Sequence, residues 1–380
     1  MTKRVLLDLR NSYDSLRGIS DEYLRALDPD QYRLITVLIR GRRPTELSVG
    51  DKVGIPADRV VFLEVPKKVF GWQFLAAWRL QRVCRQEGVE VIVAHRFKAH
   101  QVMGLLGLFN LRVAQVAVVH GLRHLASGWR KLFVALWLRQ VHLVGVSQAV
   151  AEDISSELDC GLMPWWGRKV SVSALPNVID VAAVRSNLLT KTDARQRLGV
   201  RADAYVIGHI GRLADSKDQV TLLRAFQVAR STIPKAHLVI IGDGRYRKVV
   251  HQAVDDLDLS DHVTLTGWLD NAAQYMAAFD QFALTSVEEA FGLVLLEAMI
   301  ARLPMLATDV GGVAEVVGDC CRLLMPGDVE SIAAEMVRLA SLSSAELMAL
   351  GEAMEARAGQ KFDRPVLRQG LARLMKQIES

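Results

Sequence analysis

The sequence predicts an α/β protein of two successive Rossmann-like domains, each built on a parallel sheet. Three observations carry this. The chain has 380 residues, room for two domains of about 180 residues, each able to bury its own core. Short apolar runs alternate with longer stretches of helical apolar spacing, the pattern of β–α repeats. The alternation breaks near residues 176–185 and begins again after residue 200.

In the first half the strand-like runs are residues 5–9, 89–94, 115–119 and 142–146. In the second half they are 205–210, 237–242, 263–266, 282–285 and 305–308. Residues 1–180 are therefore read as the first domain and 181–360 as the second, with 361–380 a terminal helical segment. Open parallel sheets bind ligands at the carboxyl ends of their strands. Two such sheets facing each other would form a cleft.

The densest chemistry lies in Glu289-Ala-Phe-Gly-Leu-Val-Leu-Leu-Glu297. Two carboxylates stand eight positions apart, after a strand-like run and around the start of an apolar helix. If that helix starts near Leu293, the amides of Gly292, Leu293 and Val294 point at the loop, and such an N-terminus suits a phosphate. Glu289 then lies in the loop and Glu297 about one turn into the helix. That set suits a nucleotide sugar, with phosphates at the amides and hydroxyls at the carboxylates. The plain alternative is an acidic loop before an ordinary buried helix. A cation site weighs against it: Gly211-Arg212-Leu-Ala-Asp-Ser-Lys217-Asp218 follows a strand. Gly211 permits close approach of backbone to a ligand, and Arg212 and Lys217 offer a fork and a point charge to phosphate oxygens.

These segments, with Val239-Ile-Ile-Gly-Asp-Gly244, Val263-Thr-Leu-Thr-Gly267 and Thr308-Asp-Val-Gly-Gly312, resemble the retaining family 4 glycosyltransferases of the GT-B fold. Ser147 and the run Pro176-Asn177-Val-Ile-Asp180 continue the match upstream, densely over residues 140–320 and thinly before. The resemblance implies a donor site on the C-terminal half and an acceptor site on the N-terminal half. It also implies a last helix, roughly residues 364–378, that crosses back to the N-terminal domain. The expected catalytic set is His120, Arg212, Lys217 and Glu289. The expected donor-binding set is Gly18, Gly211, Leu269, Phe291, Gly292, Leu293, Val294 and Glu297. Members of this family usually carry two adjacent glycines in the first loop, whereas here Arg17 precedes Gly18.

Other chemistries fit less well. The dinucleotide fingerprint needs three spaced glycines, but Gly242-Asp-Gly244 is followed by Arg245-Tyr-Arg247. Among nine histidines, His120 and His124 have helical ligand spacing without an acidic partner inside it, and His95 and His100 are off one helix face. His120 ends a strand, where ligand-facing residues belong. No cofactor and no metal is expected, since Arg212, Lys217 and helix amides offset the phosphate charge. The four cysteines lack a C-x-x-C pair and fit reduced thiols. Neither a signal peptide nor a transmembrane stretch is evident, so the expected location is cytoplasmic, peripheral on the inner face of the membrane.

Charge is unevenly shared. Residues 1–180 carry 25 Lys and Arg against 17 Asp and Glu, net +8, and residues 181–380 carry 22 against 25, net −3. Three segments of the basic half mix cations with aromatics: Pro66 to Arg79, Gly128 to Arg139, and Met163 to Lys169. Such faces suit anionic membrane surfaces. The first and third are read as meeting a lipid-linked or phosphorylated acceptor, and the second as packing on its own sheet. No nucleic-acid-binding module accompanies the charge.

The reading is a retaining glycosyltransferase that moves a sugar from a nucleotide-diphosphate donor to a glycan or lipid-linked acceptor. Lipopolysaccharide core or a related envelope glycan is the leading product. The alternatives are a GT-B epimerase or phosphorylase, or a silent sugar-nucleotide-binding protein.

Overall fold

The computed structural model describes residues 3–12, 19–41, 57–66, 71–109, 113–138, 141–159 and 170–379. Arg17, Gly18, Lys67, Lys68 and the whole segment from Met163 to Lys169 lie outside the described residues. The chain divides into two units, one of Met1–Val178 with Arg364–Ser380 and one of Ile179–Asp363. The crossings therefore fall at 178/179 and 363/364, where the sequence reading set 180/181 and 360/361.

The first unit holds a seven-stranded parallel sheet in the order β3-β2-β1-β4-β5-β6-β7. The strands are β1 (Arg4–Arg10), β2 (Tyr32–Leu38), β3 (Arg59–Phe62), β4 (Val91–His95), β5 (Ala114–Val119), β6 (Val141–Gly145) and β7 (Val172–Ala174). Helices α1 (Ile19–Ala26), α2 (Trp72–Glu87), α3 (Phe97–Gly104), α4 (Gly128–Trp137) and α5 (Gln148–Asp159) join them. β4 is buried along its whole length and β1 over its last five residues. That is what central strands covered on both faces require, and it explains their unbroken apolar runs.

The second unit holds a six-stranded parallel sheet in the order β10-β9-β8-β11-β12-β13. Its strands are β8 (Tyr205–Ile210), β9 (Ala236–Ile241), β10 (Val263–Gly267), β11 (Gln281–Leu284), β12 (Met305–Thr308) and β13 (Leu323–Leu324). Its helices are α6 (Val181–Asn187), α7 (Lys191–Leu198), α8 (Gln219–Ala229), α9 (Arg247–Asp256), α10 (Leu293–Ile300), α11 (Val313–Val317), α12 (Val329–Ala340) and α13 (Ser344–Phe362). Phe226 of α8, Ile240 of β9, Leu306 of β12 and Met336 of α12 meet in one buried core. A capping box of Ser343 and Glu346 starts α13. That helix runs on to Phe362, where extended Asp363 pairs with Ile179, the residue at which the chain enters this unit. Pro365 follows, inside the first turn of α14 (Arg364–Glu379), where its missing N–H costs no hydrogen bond. This last helix packs on α1: Arg364 Nη2 donates to Glu22 Oε1 at 3.0 Å and Arg368 Nε to the Ala26 carbonyl at 3.1 Å.

Each strand order reverses once, between β1 and β4 in the first sheet and between β8 and β11 in the second. At such a point neighbouring loops leave in opposite directions and open a crevice beyond the carboxyl ends. Several of the residues expected to form the site lie near these two places.

Candidate active site

In the second unit, β8 ends in Gly211 and Arg212, and a short 3-10 turn carries Asp215–Lys217 to the start of α8. Asp218 caps α8, its Oδ1 accepting from the Thr221 amide at 3.2 Å. The β9 loop passes close beneath: Gly242 has φ 144°, and a Cβ there would sit 1.9 Å from the Gly211 carbonyl oxygen. Only glycine fits that crossing. Buried His209 sets the loop from below. Its Nδ1 donates to the Ala283 carbonyl at 3.0 Å, so its Nε2 accepts from Gln219 Nε2 at 3.2 Å. The same amide donates to the Arg212 carbonyl at 3.1 Å. Burial pushes His209 down to about 4, so it stays neutral and keeps this pattern.

The β11 loop closes against the β8 loop. The Val287 amide donates to the Ser216 carbonyl at 3.0 Å, and Lys217 Nζ forms an ion pair with Glu289 Oε2. Both side chains are largely covered, at 18% and 14% exposure. Helix α10 begins at Leu293, as its apolar run predicts, after Gly292 at φ 90° with no capping side chain. The first-turn amides of α10 therefore face the loop that holds Glu289, the arrangement suited to an anion.

A cavity of about 530 Å³ lies at the carboxyl ends of β8, β9 and β10. Gly211, Arg212, Leu269 and Glu297 from the expected set line it, together with Trp268, Asn271, Gln274 and Asn187. Arg212 is exposed and forms no ion pair with the described residues. Burial raises Glu297 to about 7. Trp268 is 73% exposed at the rim.

Two expectations change. Phe291 is placed in the core, 2% exposed, with its ring edge-on to Phe362 at 5.6 Å. Only its backbone remains for a ligand. Lys217 and Glu289, expected to take phosphate and sugar separately, meet each other because the β8 and β11 loops are neighbours at the switch point.

In the first unit His120 follows β5 directly, and its Nε2 lies 2.9 Å from His95 Nδ1. His95 ends β4, and its Nε2 lies 3.3 Å from Asp8 Oδ1 on β1. Arg10 Nε reaches Asp8 at 2.5 Å, and Arg10 Nη1 reaches Asp21 of α1 at 2.8 Å. The Arg10 guanidinium keeps the Asp8 carboxyl below its ordinary value despite burial. Burial, then the neighbouring His95, holds His120 well below the usual histidine range. His100 Nε2 meets the carbonyls of Ala94 at 3.1 Å and Val118 at 3.2 Å, which makes it a clamp between β4 and β5. Asp8, Arg10 and His95 escaped the sequence reading of the site; a charged pair inside an apolar strand was the available signal.

The second aromatic segment also differs from its reading. Helix α4 packs inward through Val134, but Trp129, Leu132 and Leu136 are 48–53% exposed. Phe74 and Trp78 of α2 are exposed as well, and the Arg82 guanidinium covers the Trp78 ring at 3.8 Å.

Comparison with known proteins fits this geometry. Residues 204–341 match the family Glycosyl transferases group 1, and residues 22–161 match Glycosyltransferase Family 4. An N-acetyl-alpha-D-glucosaminyl L-malate synthase of Bacillus anthracis is 26% identical over 69% of this chain and 68% of its own length. A lipopolysaccharide core biosynthesis glycosyltransferase of Rhizobium meliloti is 34% identical over 38% of this chain and 42% of its own length. The Anabaena protein HepE, solved with UDP and glucose, superposes with a TM-score of 0.77 at 21% identity, over 99% of this chain and all of that one. WaaG, a glycosyltransferase involved in lipopolysaccharide biosynthesis, does so with a TM-score of 0.69 at 16% identity, over 97% and 99%. Two parallel-sheet units of matching order, each half fitting a glycosyltransferase family, place this chain among the group 1, family 4 glycosyltransferases of GT-B fold.

Proposed function

We propose that this glycosyltransferase is a retaining enzyme that takes a nucleotide-diphosphate sugar and transfers the sugar to a glycan or lipid-linked acceptor in envelope glycan assembly, lipopolysaccharide core above all. The observation that carries the reading is the convergence of Arg212, Glu297 and Leu269 on one cavity, beside the paired Lys217 and Glu289 and the N-terminus of α10. Arg212, Lys217 and the α10 amides stabilise the diphosphate as the sugar–phosphate bond breaks, which is preorganised electrostatic catalysis of a leaving group. Glu297 takes the ribose hydroxyls and Glu289 the donor sugar. The departing phosphate receives the acceptor proton as the acceptor attacks from the same face. With these positive groups in place the reaction needs no bound cation. Binding of UDP by HepE and the place of the Rhizobium relative in lipopolysaccharide core biosynthesis support the donor and acceptor classes.

A panel of UDP, GDP and ADP sugars, each with and without excess chelator, tests this. A matching donor raises the melting temperature, since a ligand at 100 times its Kd adds about 2.7 kcal/mol to stability. The transferred sugar keeps its anomeric configuration, and chelator changes neither result. An epimerase would convert the donor without an acceptor. Silence across the whole panel overturns the reading.

The exposed Trp129, Leu132 and Leu136 of α4, in a half of net charge +8, favour attachment to an anionic membrane on the cytoplasmic side, where a lipid-linked acceptor would lie. Among the described residues no helix is long and apolar enough to cross a membrane.

A further inference from the structure

We infer that Thr285 is a positioning residue for Lys217: its buried hydroxyl holds the carbonyl of that lysine and so fixes where the ammonium stands at the diphosphate. Its effect on turnover rests on the transferase reading; the anchoring does not.

Thr285 follows β11 directly and is fully buried. The strand end is pinned from its other side, because Thr308 Oγ1 on β12 donates to the Ser286 carbonyl at 2.5 Å. β-Branching restricts the Thr285 side chain to few rotamers, so the place of the hydroxyl follows from the strand. That hydroxyl has one proton to give. Two carbonyls share it, Asp218 at 3.1 Å and Lys217 at 3.3 Å. The Asp218 carbonyl has a second donor, the Leu222 amide at 3.3 Å in the first turn of α8. No backbone amide among the described residues donates to the Lys217 carbonyl. A covered carbonyl left unpaired is costly, so loss of the hydroxyl frees the lysine backbone to shift.

The turn that carries the lysine needs such a hold. Asp218 stands at φ 44° and ψ 52°, left-handed backbone that most side chains avoid, so the chain bends sharply into α8. Residues 285–289 grip this turn at three successive carbonyls. The Val287 and Glu288 amides converge on the Ser216 carbonyl at 3.0 and 3.4 Å, and Thr285 takes Lys217 and Asp218. Glu289 of the same segment pairs with the Lys217 ammonium. One loop thus holds the lysine at both ends. When a diphosphate takes the ammonium from Glu289, the Thr285 end is the hold that remains. A lysine is a point charge on a flexible four-carbon stem, so its ammonium is placed only as well as its backbone is. A charge that stabilises a leaving group must stand in place before the bond breaks, and a misplacement of about 1 Å can cost roughly a hundredfold in rate.

The test is steady-state kinetics and urea unfolding of Thr285→Val, which keeps the shape and loses the donor, and of Thr285→Ser, which keeps the donor. Thr285→Val lowers kcat by about tenfold or more and moves the donor KM by less than about threefold, since the lysine acts as the bond breaks. Thr285→Ser stays within about twofold of the parent. In the Lys217→Ala background Thr285→Val lowers turnover by no more than about twofold, because the hydroxyl works through the lysine. Parent-like kcat in Thr285→Val, no recovery in Thr285→Ser, or a full further loss on top of Lys217→Ala overturns the inference. Thr285→Ala, which sets no methyl against the carbonyls, takes the place of Thr285→Val if that variant does not fold. If neither folds, the hydroxyl serves the fold at large and the inference falls. Without substrate, the losses of unfolding free energy in Thr285→Val and Lys217→Ala sum to more than the loss in the double variant, and strict additivity overturns the anchoring. Coupled unfolding without turnover of any nucleotide sugar sinks the transferase reading and leaves the anchoring standing.

Discussion

Replacing Glu297 by Gln should flatten a pH dependence that this one side chain imposes. Glu297 sits one turn into α10 on the cavity wall, and burial raises its carboxyl from 4.5 to about 7. Below pH 4.5 it is protonated in both folded and unfolded chains, and its contribution to stability is fully present. Between pH 4.5 and 7 the unfolded chain releases this proton and the folded one keeps it, so stability falls as pH rises. At about 1.4 kcal/mol per pH unit the loss sums to roughly 3 kcal/mol and is complete above pH 7. Urea unfolding of parent and Glu297→Gln from pH 4 to 9 measures it. The difference in unfolding free energy should move against the parent across that window and then level off. Nucleotide affinity should follow the opposite course, because ribose hydroxyls donate best to the carboxylate. It should be roughly tenfold weaker at pH 6 than at pH 8 in the parent, and flat in Glu297→Gln. A difference curve without slope would mean a carboxyl of ordinary acidity in a well-hydrated cavity, and the argument from burial would fail.

Lys217→Ala and Arg212→Ala should each lower turnover by the equivalent of about 2–4 kcal/mol, with the fold intact by circular dichroism; near-parent turnover in both would remove this loop from the mechanism. Lys217→Ala also leaves Glu289 without its ion-pair partner, so a melting temperature lowered without added nucleotide is expected for it and not for exposed Arg212→Ala. The membrane reading predicts sedimentation with vesicles that contain anionic lipid, and release as salt shortens the screening length below about 8 Å. Trp129, Leu132 and Leu136 changed together to Ser should weaken that attachment. Lys67, Lys68, Arg168 and Lys169 changed to Ser should weaken it by about 1 kcal/mol per charge near the surface. Donor binding should not change in either variant, and undiminished sedimentation of both would make these residues ordinary surface.

Much of the molecule could be read without coordinates, because local chemistry decided it. Central strands such as β4 and β11 announce themselves as apolar runs, since both of their faces are covered. The start of α10 follows from a glycine before an apolar helical run. β3, β7 and β13 did not stand out: two to four residues at a sheet edge leave too short a pattern. That Gly211, Arg212, Leu269 and Glu297 would line one cavity was legible because each lies near the end of a strand or the start of a helix, and strand order then brings those ends together. What the sequence could not decide is everything that depends on which strands are neighbours. Lys217 and Glu289 are 72 positions apart and form an ion pair only because β8 lies beside β11. Phe291 looks like a ligand contact in a motif and is a core residue once α13 packs over it. Asp8, His95 and His120 come together solely because β1, β4 and β5 are consecutive in the sheet, an order that crossover connections set and that no local periodicity records.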